Sequence, residues 1–182
     1  VFYHPDDPVY LLEQQERQLR RLQDACLKTR HELLLEVIVS RHGAVDAKTA
    51  ARAIQRLYDQ GMKPDWWKLE PAADSETWAN IERVIRHNDP LCRGVLLLGL
   101  QASEAALAAS FRIAAASPIV KGFAVGRTIF ADAAARWLAG DIDDEAAVAD
   151  LAAKFGTLVN AWRTARAETS GTPSKGTTRE AV

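Results

Sequence analysis

Short apolar runs alternate with amphipathic stretches along this chain, and no other feature restricts its fold as much. VFYH (1–4) leads into the turn PDDP, and a stretch from about Glu13 to Thr29 follows with Leu19, Leu22 and Cys26 at helical spacing. HELLLEVIV comes next, then a helix predicted from Ala47 to Gln60 with Asp46 as its cap and Gly61 as its stop. DWWKLE, a helix preceded by Ser75 and running to about His87, RGVLLLGL, a helix opened by Ser103, and VKGFAVG continue the alternation. Helical segments at about 131–138 and 145–166 end it, and a polar tail from about residue 167 (TSGTPSKGTTREAV) reads as disordered. Strict strand–helix alternation predicts an α/β fold with a parallel sheet in a single domain, 1–166. The near-continuous apolar strands suggest a sheet covered on both faces.

Two parallel-sheet architectures compete. A doubly wound sheet places a glycine-rich phosphate loop after its first strand, and the first strand here is followed by PDDP, without glycine. Polar residues inside two strands favour the alternative. Period-two alternation puts Leu34, Glu36 and Ile38 on one side of their strand and Trp66, Lys68 and Glu70 on one side of theirs. Buried charges on adjacent strands suit the interior of a (β/α)8 barrel near its C-terminal mouth. The chain is therefore expected to supply the last five βα units of a TIM-type barrel, with three more before Val1. Open strand edges at both ends would then call for the missing units or a second copy, which makes a homo-oligomer the expectation.

A net charge of -1 gives no electrostatic reason to expect nucleic acid or an anionic membrane surface. No apolar window reaches the length of a membrane span, and the N-terminal residues lack the flanks of a signal peptide. Two cysteines, Cys26 and Cys92, stand without zinc-ligand spacing, so a reducing, cytoplasmic location is expected, with no metal and no cofactor.

The chemistry centres on the lysine in PDWWKLEP. A buried lysine either pairs with a carboxylate, here Glu36 or Glu70, or gives up its proton. Desolvation between Trp66 and Trp67 would leave a free amine, with a pKa pushed to about 7–8, ready to attack a ketone. The iminium so formed permits retro-aldol cleavage if a second group moves protons, and Glu36 on the next strand has that chemistry. After the last strand, Gly126 and Arg127 open a helix, an arrangement that suits phosphate, and Gly99-Leu100-Gln101 at the end of the preceding strand offers backbone donors. Lys121 is the rival imine lysine, sharing strand parity with Phe123 and Val125 but lying nearer the barrel floor. His4 and Asp6 share parity in the first strand and are candidates for substrate or metal contact. His31, His42 and His87 read as solvated or capping, and Asp141 to Glu145 as the acidic start of a helix.

HELLLEVIV, DWWKLEP, GVLLLGL and KGFAVGRTIF, in that order, resemble the latter strands of class I aldolases of the tagatose-bisphosphate type. With YHPDDP they also resemble the C-terminal domain found fused to bacterial 5-dehydro-2-deoxygluconokinase of myo-inositol breakdown, over nearly all residues to about Arg166. The resemblance implies cleavage of 5-dehydro-2-deoxygluconate 6-phosphate, a phosphorylated keto sugar acid, to dihydroxyacetone phosphate and malonate semialdehyde. It implies Lys68 as imine lysine, Glu36 as acid/base, Gly126 and Arg127 as phosphate grip, and a fused kinase domain as partner. Leu97–Leu100 depart from the serine- and glycine-containing fourth strand of those aldolases. A non-catalytic, phosphosugar-binding domain serving the fused kinase is the alternative. Kinase activity in these residues themselves has no support, because no glycine-rich anion loop precedes a catalytic aspartate.

Overall fold

The computed structural model describes residues 1–100 and 102–171. Six helices, α1 (Val9–Thr29), α2 (Thr49–Asp59), α3 (Ser75–Asn88), α4 (Glu104–Ala114), α5 (Arg127–Leu138) and α6 (Asp144–Thr169), accompany four strands, β1 (Leu34–Val37), β2 (Trp66–Leu69), β3 (Gly94–Leu97) and β4 (Val120–Phe123). The strands form one parallel sheet in the order β1-β2-β3-β4. Residues 1–3 extend it by a short piece beside β1, since the Tyr3 N–H donates to the Ile38 carbonyl and the Ile38 N–H to the Val1 carbonyl, 3.0 and 2.9 Å. This piece is the fifth strand that VFYH predicts, reduced to a single bridge.

Sequential parallel strands joined by right-handed crossovers place their connecting helices on the same side of the sheet. Burial follows that geometry. Leu35, Val37, Trp67, Leu69, Val95 and Leu97 are all at most 4% exposed and form the core with the helices. Burying each such aliphatic side chain contributes roughly 1.5–3 kcal/mol. On the opposite face Leu34 is 42% exposed, and Glu36, Trp66, Lys68 and Leu96 are only half-buried. The expectation of a sheet covered on both faces is therefore corrected: helices of this chain cover one.

Local signals hold with small displacements. Asp74, not Ser75, caps α3, accepting from the Thr77 N–H at 2.7 Å, and Asp46 caps the turn that precedes α2. Ser103 caps α4 as predicted, and Asp143 caps α6. That last helix runs on to Thr169, three residues into the segment read as a disordered tail, and residues 172–182 of that tail lie outside the described residues. Among the described residues no helix is long and apolar enough to cross a membrane.

Candidate functional site

The register of β1 and β2 sets the centre of the site. Glu36 and Lys68 are direct partners across the two parallel strands, and their parity turns both side chains to the open face. The Lys68 Nζ stands 3.3 Å from the Glu36 Oε2, with side-chain exposures of 21% and 38%. Of the two carboxylates the sequence offers to Lys68, the fold gives it Glu36. The amine is not sealed between two tryptophans, as the sequence reading expects. Trp66 shares its face, but Trp67 points the other way into the core, where its indole N–H donates to the Tyr58 hydroxyl at 2.9 Å. An amine and a carboxylate in hydrogen-bond contact at the edge of solvent can exchange a proton directly.

The same cleft, about 280 Å3, brings in the ends of the other two strands. Gly99 and Leu100 follow β3, and Ala124, Val125 and Gly126 follow β4 before α5 begins at Arg127. Close packing favours glycine at both positions. A Cβ on Gly99 would stand 3.0 Å from Val125 and 3.1 Å from the Thr128 hydroxyl oxygen, and one on Gly126 would strike the Phe130 ring at 2.9 Å. Gly126 supplies no capping side chain to α5, and the Ile129 N–H turns back to the Gly126 carbonyl at 2.8 Å, so α5 starts at the exposed Arg127 without a side-chain cap. Glu36, Lys68, Gly99, Gly126 and Arg127, expected together from the sequence, thus line one cavity. Leu100, expected beside Gly99, lines it too, and Gln101 lies outside the described residues. Ile38, Thr128 and Phe130 also line it and escaped the reading. Strand parity with Glu36 marks Ile38, but Leu100 holds a left-handed conformation (φ 42°) that nothing in a leucine announces.

Four other candidates lie elsewhere. Glu70 follows the last residue of β2, and its carboxylate accepts from the Val39 N–H (2.7 Å), the Ser40 N–H (3.1 Å) and the Ser40 hydroxyl. It lines a separate cleft on the helix side and does not share the cavity of Lys68. His4 is 6% exposed beneath Gly43, its Nε2 set against the Ala44 carbonyl at 3.0 Å and its Nδ1 accepting from the Asp6 N–H. Asp6 pairs with Arg52. The strand beside β1 ends before these residues, so parity carries no information about them. Lys121 donates to the Pro118 carbonyl at 2.7 Å and packs over Gly94, at the opposite end of the sheet. A bulge between β3 and β4 separates it from Phe123, which stacks on Phe111 in the core, so the two do not share a face.

The model of a family described as "Uncharacterized protein conserved in bacteria (DUF2090)" matches residues 1–166. No curated protein sequence matches. Among solved structures the chain is similar to a fructose-bisphosphate aldolase from Plasmodium falciparum, determined in complex with TRAP and a small-molecule inhibitor, at 16% identity and a TM-score of 0.50. The match covers 83% of this chain and 48% of that one, so the chain spans about half the length of its structural neighbour. At this identity the likeness is one of fold: an α/β arrangement with a parallel four-strand sheet, similar to an aldolase of the TIM-barrel type.

Proposed function

The chain belongs to the DUF2090 family, and we propose that it is an imine-forming aldolase acting on a phosphorylated keto sugar acid. The observation that carries this reading is the Lys68–Glu36 pair, 3.3 Å apart, opening into the same cavity as Gly126 and Arg127. Two cationic side chains and a helix N-terminus against one carboxylate make that cavity net positive, which suits a substrate with a phosphate at one end and a carboxylate at the other. The aldolase-like fold agrees in kind.

For 5-dehydro-2-deoxygluconate 6-phosphate the steps would run as follows. Glu36 takes a proton from the Lys68 ammonium, and the amine adds to the C5 carbonyl and expels water, giving an iminium. Glu36, a carboxylate again after its proton has left with the expelled water, then removes the C3 hydroxyl proton as the C3–C4 bond breaks, and the bond's electrons pass to the iminium to give an enamine. Malonate semialdehyde leaves, the acid returns a proton to C4, and water hydrolyses the imine to release dihydroxyacetone phosphate. Arg127 and the first turn of α5 would hold the phosphate throughout. The sheet would form an arc of a (β/α)8 barrel, a reading supported by its sequential strand order and one-sided helical cover.

Borohydride reduction in the presence of dihydroxyacetone phosphate tests the proposal. A stable adduct is expected on Lys68, and Lys68→Ala should give none while keeping its circular dichroism spectrum. An adduct on a different lysine, or an undiminished one in the variant, would remove Lys68 from the role. A second reading draws on the half-exposed, ion-paired state of Lys68: the cleft would bind a phosphosugar without chemistry. Saturable phosphosugar binding with no adduct would favour it.

A further inference from the structure

β2 lies between two carboxylates of its own motif, and both hold β1. Asp65, before the strand, accepts from the Leu33 N–H at 2.8 Å, and Glu70, after it, accepts from Val39 and Ser40. The Trp66 N–H donates to the Leu33 carbonyl, and the ladder then proceeds in steps of two residues through the Glu36–Lys68 pair. Continued past Leu69, it would offer the Glu70 carbonyl to the Val39 N–H. The chain instead turns away at Pro71, and the Glu70 carboxylate takes that amide in place of the carbonyl. Glu70 thereby adds a rung to the pair of strands on the mouth side of Glu36 and Lys68.

We propose that Glu70 is a positioning residue, one that sets the separation of Glu36 from Lys68 by pinning the end of β1 to the end of β2; this rests on reading the pair as the imine-forming centre. Glu70 touches no part of the Lys68 cavity and lines a cleft of about 380 Å3 on the other side of the sheet, with Val39, Ser40 and Asp74. Its three acceptor contacts leave it occupied with backbone and hydroxyl, away from substrate. Without it, Val39 and Ser40 lose their carboxylate partner and the mouth end of β1 is free to shift relative to β2. Lys68 lies within β2, upstream of the change and at the edge of solvent, so when Glu36 is displaced the ammonium proton can pass to water and the imine still forms. Proton movement by Glu36 does need Glu70, because its reach to the reacting carbon depends on where β1 sits.

Two measurements on the whole chain with dihydroxyacetone phosphate separate these steps: the yield of borohydride adduct, which reads the imine, and exchange of a hydroxymethyl hydrogen into deuterated water, which reads proton removal from the iminium to give the enamine. Glu70→Ala is expected to retain the wild-type adduct yield while exchange falls roughly 10- to 100-fold, the scale of loss that an ångström of misplacement produces. Glu70→Gln, which keeps one acceptor oxygen and turns an amide toward the donors, should fall between, and it carries the comparison if the alanine variant does not fold. Exchange within twofold of wild type in the folded variants would overturn the role of Glu70 and leave the aldolase reading standing. No adduct in the wild type would remove both.

Discussion

Trp67 and Lys68 are neighbours in sequence with opposite surroundings. Trp67 is fully buried, and its indole N–H is satisfied by Tyr58, whose phenol burial pushes well above its ordinary pKa. The two rings meet edge to face at 5.5 Å. Tyr58→Phe would keep the ring contact and strand the indole N–H in the core, which should cost about 1–2 kcal/mol in urea denaturation. Cys92 sits nearby with its thiol pushed up by burial, as a packing residue and not a reactive one.

At the level of elements, the turn into α2 shows how short polar contacts time the helices. The Thr49 hydroxyl and the Lys48 N–H both donate to Asp46 and hold its carboxyl below the usual carboxylate value. A lowered folded-state pKa gives stability that is present above the unfolded value of about 3.9 and lost as pH falls through the folded one. Asp46→Ala should therefore lower the melting temperature at neutral pH, with a gap that narrows below about pH 4 and closes on further acidification. Strands and helices were legible because both periodicities are strong in this chain, and parity alone aligned Glu36 with Lys68. Parity failed wherever a strand stopped or bulged. Glu70 lies one residue past β2 and folds back on Val39, His4 follows a strand of a single bridge, and Lys121 sits at the bulge. The same alternation turns Trp67 away from its lysine and into the core, where proximity in sequence misleads.

Across the whole molecule, a buried polar triad joins the first residues to the helical layer. The Tyr3 hydroxyl donates to the Glu16 Oε1 at 2.6 Å, and the Arg56 Nε reaches both, at 2.7 Å to Glu16 and 3.1 Å to Tyr3. Glu16 is 1% exposed, and Arg56 is the cation it faces. Arg56→Ala should cost at least about 3 kcal/mol by leaving that carboxylate buried without its cation, and combining Arg56→Met with Glu16→Leu should recover most of it, both read by chemical denaturation. The one-sided clothing of the sheet has a consequence for how this protein tolerates change. Substitutions of Leu35, Trp67 or Leu97 would register as scarcity of folded protein, whereas on the proposed function substitutions of Glu36, Lys68 or Arg127 would leave it plentiful and silent. A saturation screen that scores abundance and turnover separately would sort neighbouring residues of one strand into different classes, alternating with the pleat.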